Sequence, residues 1–197
     1  MPDVHPSKLA AHSALRAHVA PQARATGPVR ARLRERDGLV LASVAALKGR
    51  EQELADAVRA RFGIELPAGP RRAAAGASAF VGAGPGKWLF VSEDPEADIS
   101  DLPAAVVDQS DGRTVLSLSG EAAREILSTL VTVDLHPRAF AAGDAASTHA
   151  AGISIHLWQV DDAPSYEIAA FRSYAATLWR WIAHAGAARG LEAAAND

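Results

Sequence analysis

The sequence predicts an α+β fold of two small lobes. Three observations carry that expectation. Short runs rich in β-branched and aromatic residues, bounded by Gly and Pro, recur along most of the chain. Helical periodicity is confined to a few segments. A strand–helix–hairpin order occurs twice, without the strict alternation of a doubly wound parallel sheet. The 197 residues, 49% hydrophobic and 22% charged, suffice for an independent core and exclude a disordered chain, a collagen-like fibre and a membrane-spanning bundle.

The first 36 residues carry Lys8, Arg16, Arg24, Arg30, Arg32, Arg34 and Arg36 against Asp3 and Glu35, and Pro2, Pro6, Pro21 and Pro28 interrupt them. One short helix, Ser7 to about Val19, fits between these prolines. Residues 1–29 thus read as a poorly packed basic arm, and residues 30–197 as the folded domain, with lobes of about 30–100 and 101–190.

Leu39-Val40-Leu41-Ala42-Ser43-Val44 reads as a strand. Arg50 to Phe62 reads as a helix with Leu54, Ala57 and Val58 inward, Gly63 just past its end and Pro67 preventing its return. Ala79-Phe80-Val81 and Trp88-Leu89-Phe90-Val91 form a hairpin across Gly82-Ala83-Gly84-Pro85-Gly86. The acidic run Glu93, Asp94, Glu96, Asp98 and Asp101 reads as a solvated linker.

The same order then returns. Strands Ala105 to Ser110 and Thr114 to Leu118 flank Asp111-Gly112, a hairpin turn signal. Ser119 caps a helix from about Glu121 to Leu130. A hairpin of Ala145 to His149 and Ile153 to Val160 follows, then a strand from Tyr166 to Phe171. Ser173 caps a final helix whose apolar stripe is Tyr174, Leu178, Trp181, Ile182 and Ala185.

The residues offer no self-evident chemistry. Without cysteine, disulfides, thiolate zinc sites, iron–sulfur ligation and thiol catalysis are excluded. The loop before Lys87 fails the Walker A pattern, with Val81 in place of its first Gly and Trp88 where Ser or Thr must hold Mg²⁺. The seven histidines show no metal-ligand spacing on a helix. His156, alternating with Ile155 and Leu157, is expected at the surface or an interface. No G-x-S-x-G elbow exists, and Asp108 remains an open candidate beside the turn. Catalytic, cofactor-binding and metal-binding residues are therefore expected to be none.

Alternation in a strand places Arg30, Arg32, Arg34 and Arg36 on one face. That stripe suits an acidic partner better than nucleic acid, since the net charge is −3 and no aromatics interleave. Together with Trp88, Trp158 and Trp179 these arginines form the candidate partner interface. Met1 to Leu15 lacks a signal-like apolar run, and no segment reaches the roughly 20 apolar residues of a membrane span, so a cytoplasmic location is expected.

Phe62-Gly63-Ile64-Glu65-Leu66-Pro67 followed by Gly84-Pro85-Gly86-Lys87-Trp88-Leu89 resembles the signature of the γ subunit of heterotetrameric sarcosine oxidase. The second half resembles that family more closely, through Val107 to Arg113, Leu118-Ser119-Gly120, Ala123 to Leu127, Asp134 to Phe140, Leu157-Trp158 and Arg172 to Trp181. The resemblance covers roughly residues 30–186. It implies a fold related to the folate-binding aminomethyltransferases (the T-protein of glycine cleavage). It also implies a structural, non-catalytic subunit in an α, β, γ, δ assembly that demethylates sarcosine oxidatively to glycine and hydrogen peroxide. The one-carbon unit leaves as formaldehyde or 5,10-methylenetetrahydrofolate. FAD, FMN, NAD, folate and zinc are then expected in the partner subunits and none in this chain, with the α subunit as chief contact. The alternative is a freestanding folate-binding aminomethyltransferase-like protein, for which Asp108 or Asp134 would face the pterin. Relatives in iron–sulfur repair carry a cysteine motif where this chain has Lys48-Gly49-Arg50.

Overall fold

The structure, a computed structural model, describes residues 13–15 and 27–194. Most of the expected helix from Ser7 to Val19, with Lys8, Arg16 and Arg24, lies outside the described residues.

The first half contains strands β1 (Ala31–Arg36) and β2 (Val40–Ala46), helix α1 (Glu51–Phe62), and strands β3 (Arg72–Ala75), β4 (Ser78–Gly84) and β5 (Lys87–Ser92). The second contains β6 (Ala104–Asp108), β7 (Arg113–Ser119), helix α2 (Ala123–Ser128), β8 (Ala145–Ala150), β9 (Ile153–Asp161), β10 (Ser165–Phe171), helix α3 (Ala175–Gly186) and β11 (Leu191–Ala194). The strands form a six-stranded sheet, β11-β1-β7-β10-β9-β8, and a five-stranded sheet, β3-β4-β5-β2-β6. The β1–β11 pair is parallel and the other pairs are antiparallel. The expected α+β class with antiparallel sheets is what folds.

Division of the chain between the sheets differs from the expected break near residue 100. β1 joins the larger sheet with the second-half strands, and β6 joins the smaller sheet beside β2. Asp111-Gly112 consequently does not close a hairpin: β6 and β7 lie in different sheets, and the segment between them is a crossover. The Gln109 N–H donates to the Leu41 carbonyl at 2.8 Å and the Leu41 N–H to Ser110 Oγ at 3.0 Å, tying the crossover to β2. β7 is an inner strand, hydrogen-bonded to β1 and β10, and both its faces are covered: Leu116 and Leu118 pack in the cluster with α2 and α3, and Val115 packs against residues of the smaller sheet.

α1 follows its local punctuation. It ends at Gly63, in the left-handed region at φ 66°, where the Gly63 N–H donates to the Arg59 carbonyl at 2.9 Å. The Gly-rich stretch differs in detail: β4 runs through to Gly84, and the turn is Pro85-Gly86. Gly82 serves a close approach, since a Cβ there would lie 2.0 Å from the Gly69 carbonyl oxygen. That approach lets the Gly82 N–H donate to the Arg71 carbonyl at 2.8 Å and brings in β3, which sequence periodicity did not mark.

The expected serine caps are not used: α2 starts after Ala122 and α3 after Tyr174, neither with a side-chain cap. The face of α3 also differs. Its buried residues are Ala175, Leu178, Trp179, Ile182 and Gly186, leaving Tyr174 and Trp181 exposed. Close packing explains the choice, because a Cβ on Gly186 would stand 2.4 Å from Leu191 Cδ2. Gly186, which lacks a Cβ, lets this end of the helix approach β11 so nearly.

Apolar packing falls into three clusters. One lies under α2 and α3 on the larger sheet and includes Leu33, Leu116, Ile126, Tyr166 and Trp179. A second joins α1 to the smaller sheet, where the rings of Phe62, Phe80 and Phe90 meet at centroid distances of 5.1 to 5.8 Å. The third holds Leu41, Val81, Leu89, Val91, Val115, Ala145, Trp158 and Ala169 between the two sheets. Two residues anchor the short N-terminal segment: Leu15 is buried in the first cluster, and buried Glu35 accepts hydrogen bonds from Ser13 Oγ and, at 3.0 Å, the Ala14 N–H. The arm expected to be poorly packed thus has a packed point at Ser13–Leu15.

Candidate functional site

β1 presents its arginines opposite Ala31, Leu33 and Glu35, as strand alternation requires. The stripe is largely neutralised within the chain. Arg30 pairs with Glu121, Arg32 with Glu192 at 3.5 Å, and Arg36 with Glu93 at 2.6 Å and with the buried Glu167. Arg34 has no ion pair among the described residues and is exposed. One end of the acidic linker is held by Arg36–Glu93 and the other by Arg61–Asp101, so this run is tethered at both ends.

The three candidate interface tryptophans are buried inside the chain. Trp88 packs in the smaller-sheet core and donates Nε1–H to the Pro67 carbonyl at 2.9 Å. Trp179, on the inward face of α3, is buried in the larger-sheet core. Trp158, fully enclosed between the sheets, donates Nε1–H to Glu167 at 2.8 Å. Three separate apolar clusters claim these rings before any partner can. The exposed tryptophan is Trp181, at 47%, with exposed Phe171 and Tyr174 nearby in sequence. Trp181 joins Thr177, Arg180 and His184 around a shallow, mainly apolar recess on the outer side of α3.

The two carboxylates that could have faced a pterin are occupied with local turns. Asp108 Oδ1 accepts from the Ser110 N–H at 2.8 Å and Ser110 Oγ at 2.7 Å, which hold its carboxyl below the usual range. Asp134 Oδ1 accepts from the His136 N–H at 2.9 Å, and His136 Nδ1 accepts from the Arg138 N–H at 3.2 Å. Among the described residues no group of three or more His, Asp or Glu gathers as metal ligands, and no helix is long and apolar enough to cross a membrane.

A cluster absent from the sequence-based candidates forms where β7, β8, β9 and β10 meet. Arg113, Ser147, His149, Ser154, His156 and Phe171 line a recess of about 210 Å³. The Arg113 guanidinium sits 4.5 Å over the Phe171 ring. His156 Nδ1 lies 3.0 Å from Ser147 Oγ, which also reaches the Ala83 carbonyl at 3.3 Å. Burial first, and the Arg113 charge second, push the His156 imidazole from 6.5 to about 4. The signal was present in the sequence: His156 shares strand parity with Trp158, which points toward the other sheet.

This imidazole predicts a pH effect of definite sign. Its folded-state value lies below the unfolded one, so its contribution is present above pH 6.5 and lost as pH falls from 6.5 toward 4. Stability should drop by about 1–3 kcal/mol across that window, after allowance for partial solvent screening. Urea unfolding at stepped pH checks this, and His156→Gln should flatten the same limb.

Residues 48–188 match the sarcosine oxidase, gamma subunit family. The sarcosine oxidase subunit gamma of Corynebacterium sp. (strain U-96) is 32% identical over 135 residues, covering 64% of this chain and 65% of that protein. The chain thus matches a little under two thirds of that relative's length. A chain in the heterotetrameric sarcosine oxidase from Corynebacterium sp. U-96, in complex with pyrrole 2-carboxylate, superposes with a TM-score of 0.73 at 28% identity, covering 85% of this chain and 89% of that one. The glycine cleavage system aminomethyltransferase T from Bartonella henselae shares the fold alone, with a TM-score of 0.59 at 12% identity, over 84% of this chain and 48% of that one. With the family match spanning most of the described residues and the strands paired as set out above, the chain belongs to the sarcosine oxidase gamma subunit family.

Proposed function

We propose that this chain is the γ subunit of a heterotetrameric sarcosine oxidase and serves assembly rather than chemistry. The observation that carries the reading is the likeness to a chain of the heterotetrameric enzyme along 85% of this sequence and 89% of that chain. In this reading the complex demethylates sarcosine oxidatively to glycine, with hydrogen peroxide and a one-carbon unit released as formaldehyde or 5,10-methylenetetrahydrofolate. The flavins, NAD, folate and zinc reside in the α, β and δ subunits, and the complex works in the cytoplasm. A chain of this kind stabilises its companions by binding their native state.

Docking falls chiefly to the α subunit through exposed groups. Trp181, flanked by Arg180 and His184, is the anchor, and Arg34 offers a cation without an internal partner among the described residues. Arg32 and Arg36 lie on the same strand and Arg30 just before it, while Trp88, Trp158 and Trp179 contribute by holding the fold. Expressed alone, the chain should show no flavin absorbance and no sarcosine turnover; expressed with the other three subunits, it should co-purify with them. Trp181→Ala should weaken that association at least about tenfold, the usual scale for an anchoring tryptophan. Turnover by the isolated chain would reject the reading.

A further inference from the structure

We propose that the recess formed by Arg113, Ser147, His149, Ser154, His156 and Phe171 binds a small oxyanion, a phosphate or a carboxylate group. The site goes beyond the subunit role and does not depend on it. Arg113 opens β7 and is partly buried, yet its guanidinium makes no hydrogen bond or ion pair to any described residue, and its buried Nε lacks a partner. Nearby arginines behave otherwise: Arg36 and Arg71 each hold a carboxylate, at 2.6 Å from Glu93 and Asp144 respectively. A desolvated donor left without an acceptor is costly, and for a charged group the cost is larger. The acceptor for this guanidinium therefore lies outside the described residues, and the terminal nitrogens, not the enclosed Nε, are what it would meet.

The surroundings select its charge. No carboxylate lines the recess; imidazoles, hydroxyls and the guanidinium do. Phe171 beneath the guanidinium fixes the plane of its donor fork, the geometry that grips two oxygens of one group. With Ser147 Oγ donating to the Ala83 carbonyl, it accepts from His156 Nδ1; Nε2 of that neutral ring is an acceptor and becomes a donor to an oxyanion once the ring takes up a proton. Arg113 from β7 and His149 from β8 are the ionisable groups that share this recess with His156. Arg113 lowers the affinity of the His156 imidazole for a proton, and an anion between them would relieve that repulsion. About 210 Å³ leaves ample room for one oxyanion group.

The test titrates the full chain with inorganic phosphate and, separately, with acetate, at constant ionic strength set by chloride, following the His156 ring resonances and the heat of binding. Saturation by phosphate assigns a phosphate-type ligand and saturation by acetate a carboxylate, and either supports the site if it weakens about tenfold or more in Arg113→Gln. Arg138→Gln, on an exposed residue outside the recess, should bind as the parent does. Should Arg113→Gln misfold, Ser154→Ala at the exposed rim carries the test and should weaken binding severalfold. Absence of saturation with both anions, or saturation undiminished in the recess variants, overturns the proposal.

Discussion

Trp158→Ala should lower the unfolding free energy by about 3–5 kcal/mol, the scale of truncating a large buried aromatic. Trp158 is fully enclosed and touches both sheets through a cluster that includes Leu41, Val81, Leu89 and Val115. Removing the indole opens a cavity in the apolar cluster where the sheets pack on each other. It also takes the Nε1–H donor from Glu167, a buried carboxylate otherwise held by Arg36. Trp158→Phe separates these losses: it keeps most of the volume and forfeits the donor, so about 1–2 kcal/mol is expected. Urea unfolding of the three chains measures both, and equal stability of Trp158→Ala and the parent would show that the sheets do not depend on this contact.

The second large effect centres on Glu35. Its side chain is on the buried face of β1 and accepts from Thr114 Oγ1 at 3.0 Å, from the Ala14 N–H at 3.0 Å and from Ser13 Oγ. Glu35→Ala strands these donors and should cost about 2–4 kcal/mol, because breaking a buried charged network from one side leaves the remaining groups desolvated and unpaired. Release of Ser13–Leu15 would also pull Leu15 from the larger-sheet core. Glu35→Gln retains one acceptor oxygen and should fall between parent and alanine variant. Denaturant midpoints rank the three, and a protease acting near Leu15 should cut Glu35→Ala sooner.

Local punctuation was legible in the sequence; pairing across distance was not. α1 could be read because Gly63 and Pro67 mark its end within a few residues, and the β8–β9 hairpin because both strands lie beside their turn. Asp111-Gly112 misled for the opposite reason: a turn signal says that the chain bends, not that the flanking strands stay in one sheet. β11 went unmarked because its four residues take strand form only beside β1, about 160 positions earlier. For α3 the sequence holds two overlapping apolar faces, and only the close approach to Leu191 selects between them. The arginine stripe was read correctly as a face of β1, but its neutralising partners Glu121, Glu192 and Glu167 come from other parts of the chain. Arg113 escaped notice because a single cation carries no motif, and its significance lies in what it fails to touch.

The parallel alignment of β1 with β11 has a consequence for biosynthesis. As the ribosome releases the chain, β1 emerges among the first described segments, but the strand that closes its outer side is among the last. Until then a nascent chain carries an open, hydrogen-bond-hungry border, the kind that recruits stray strands. Closure of the β1 edge therefore waits for the β11 segment to be made, and the interval before it is when a chaperone or an oligomeric companion has most to protect.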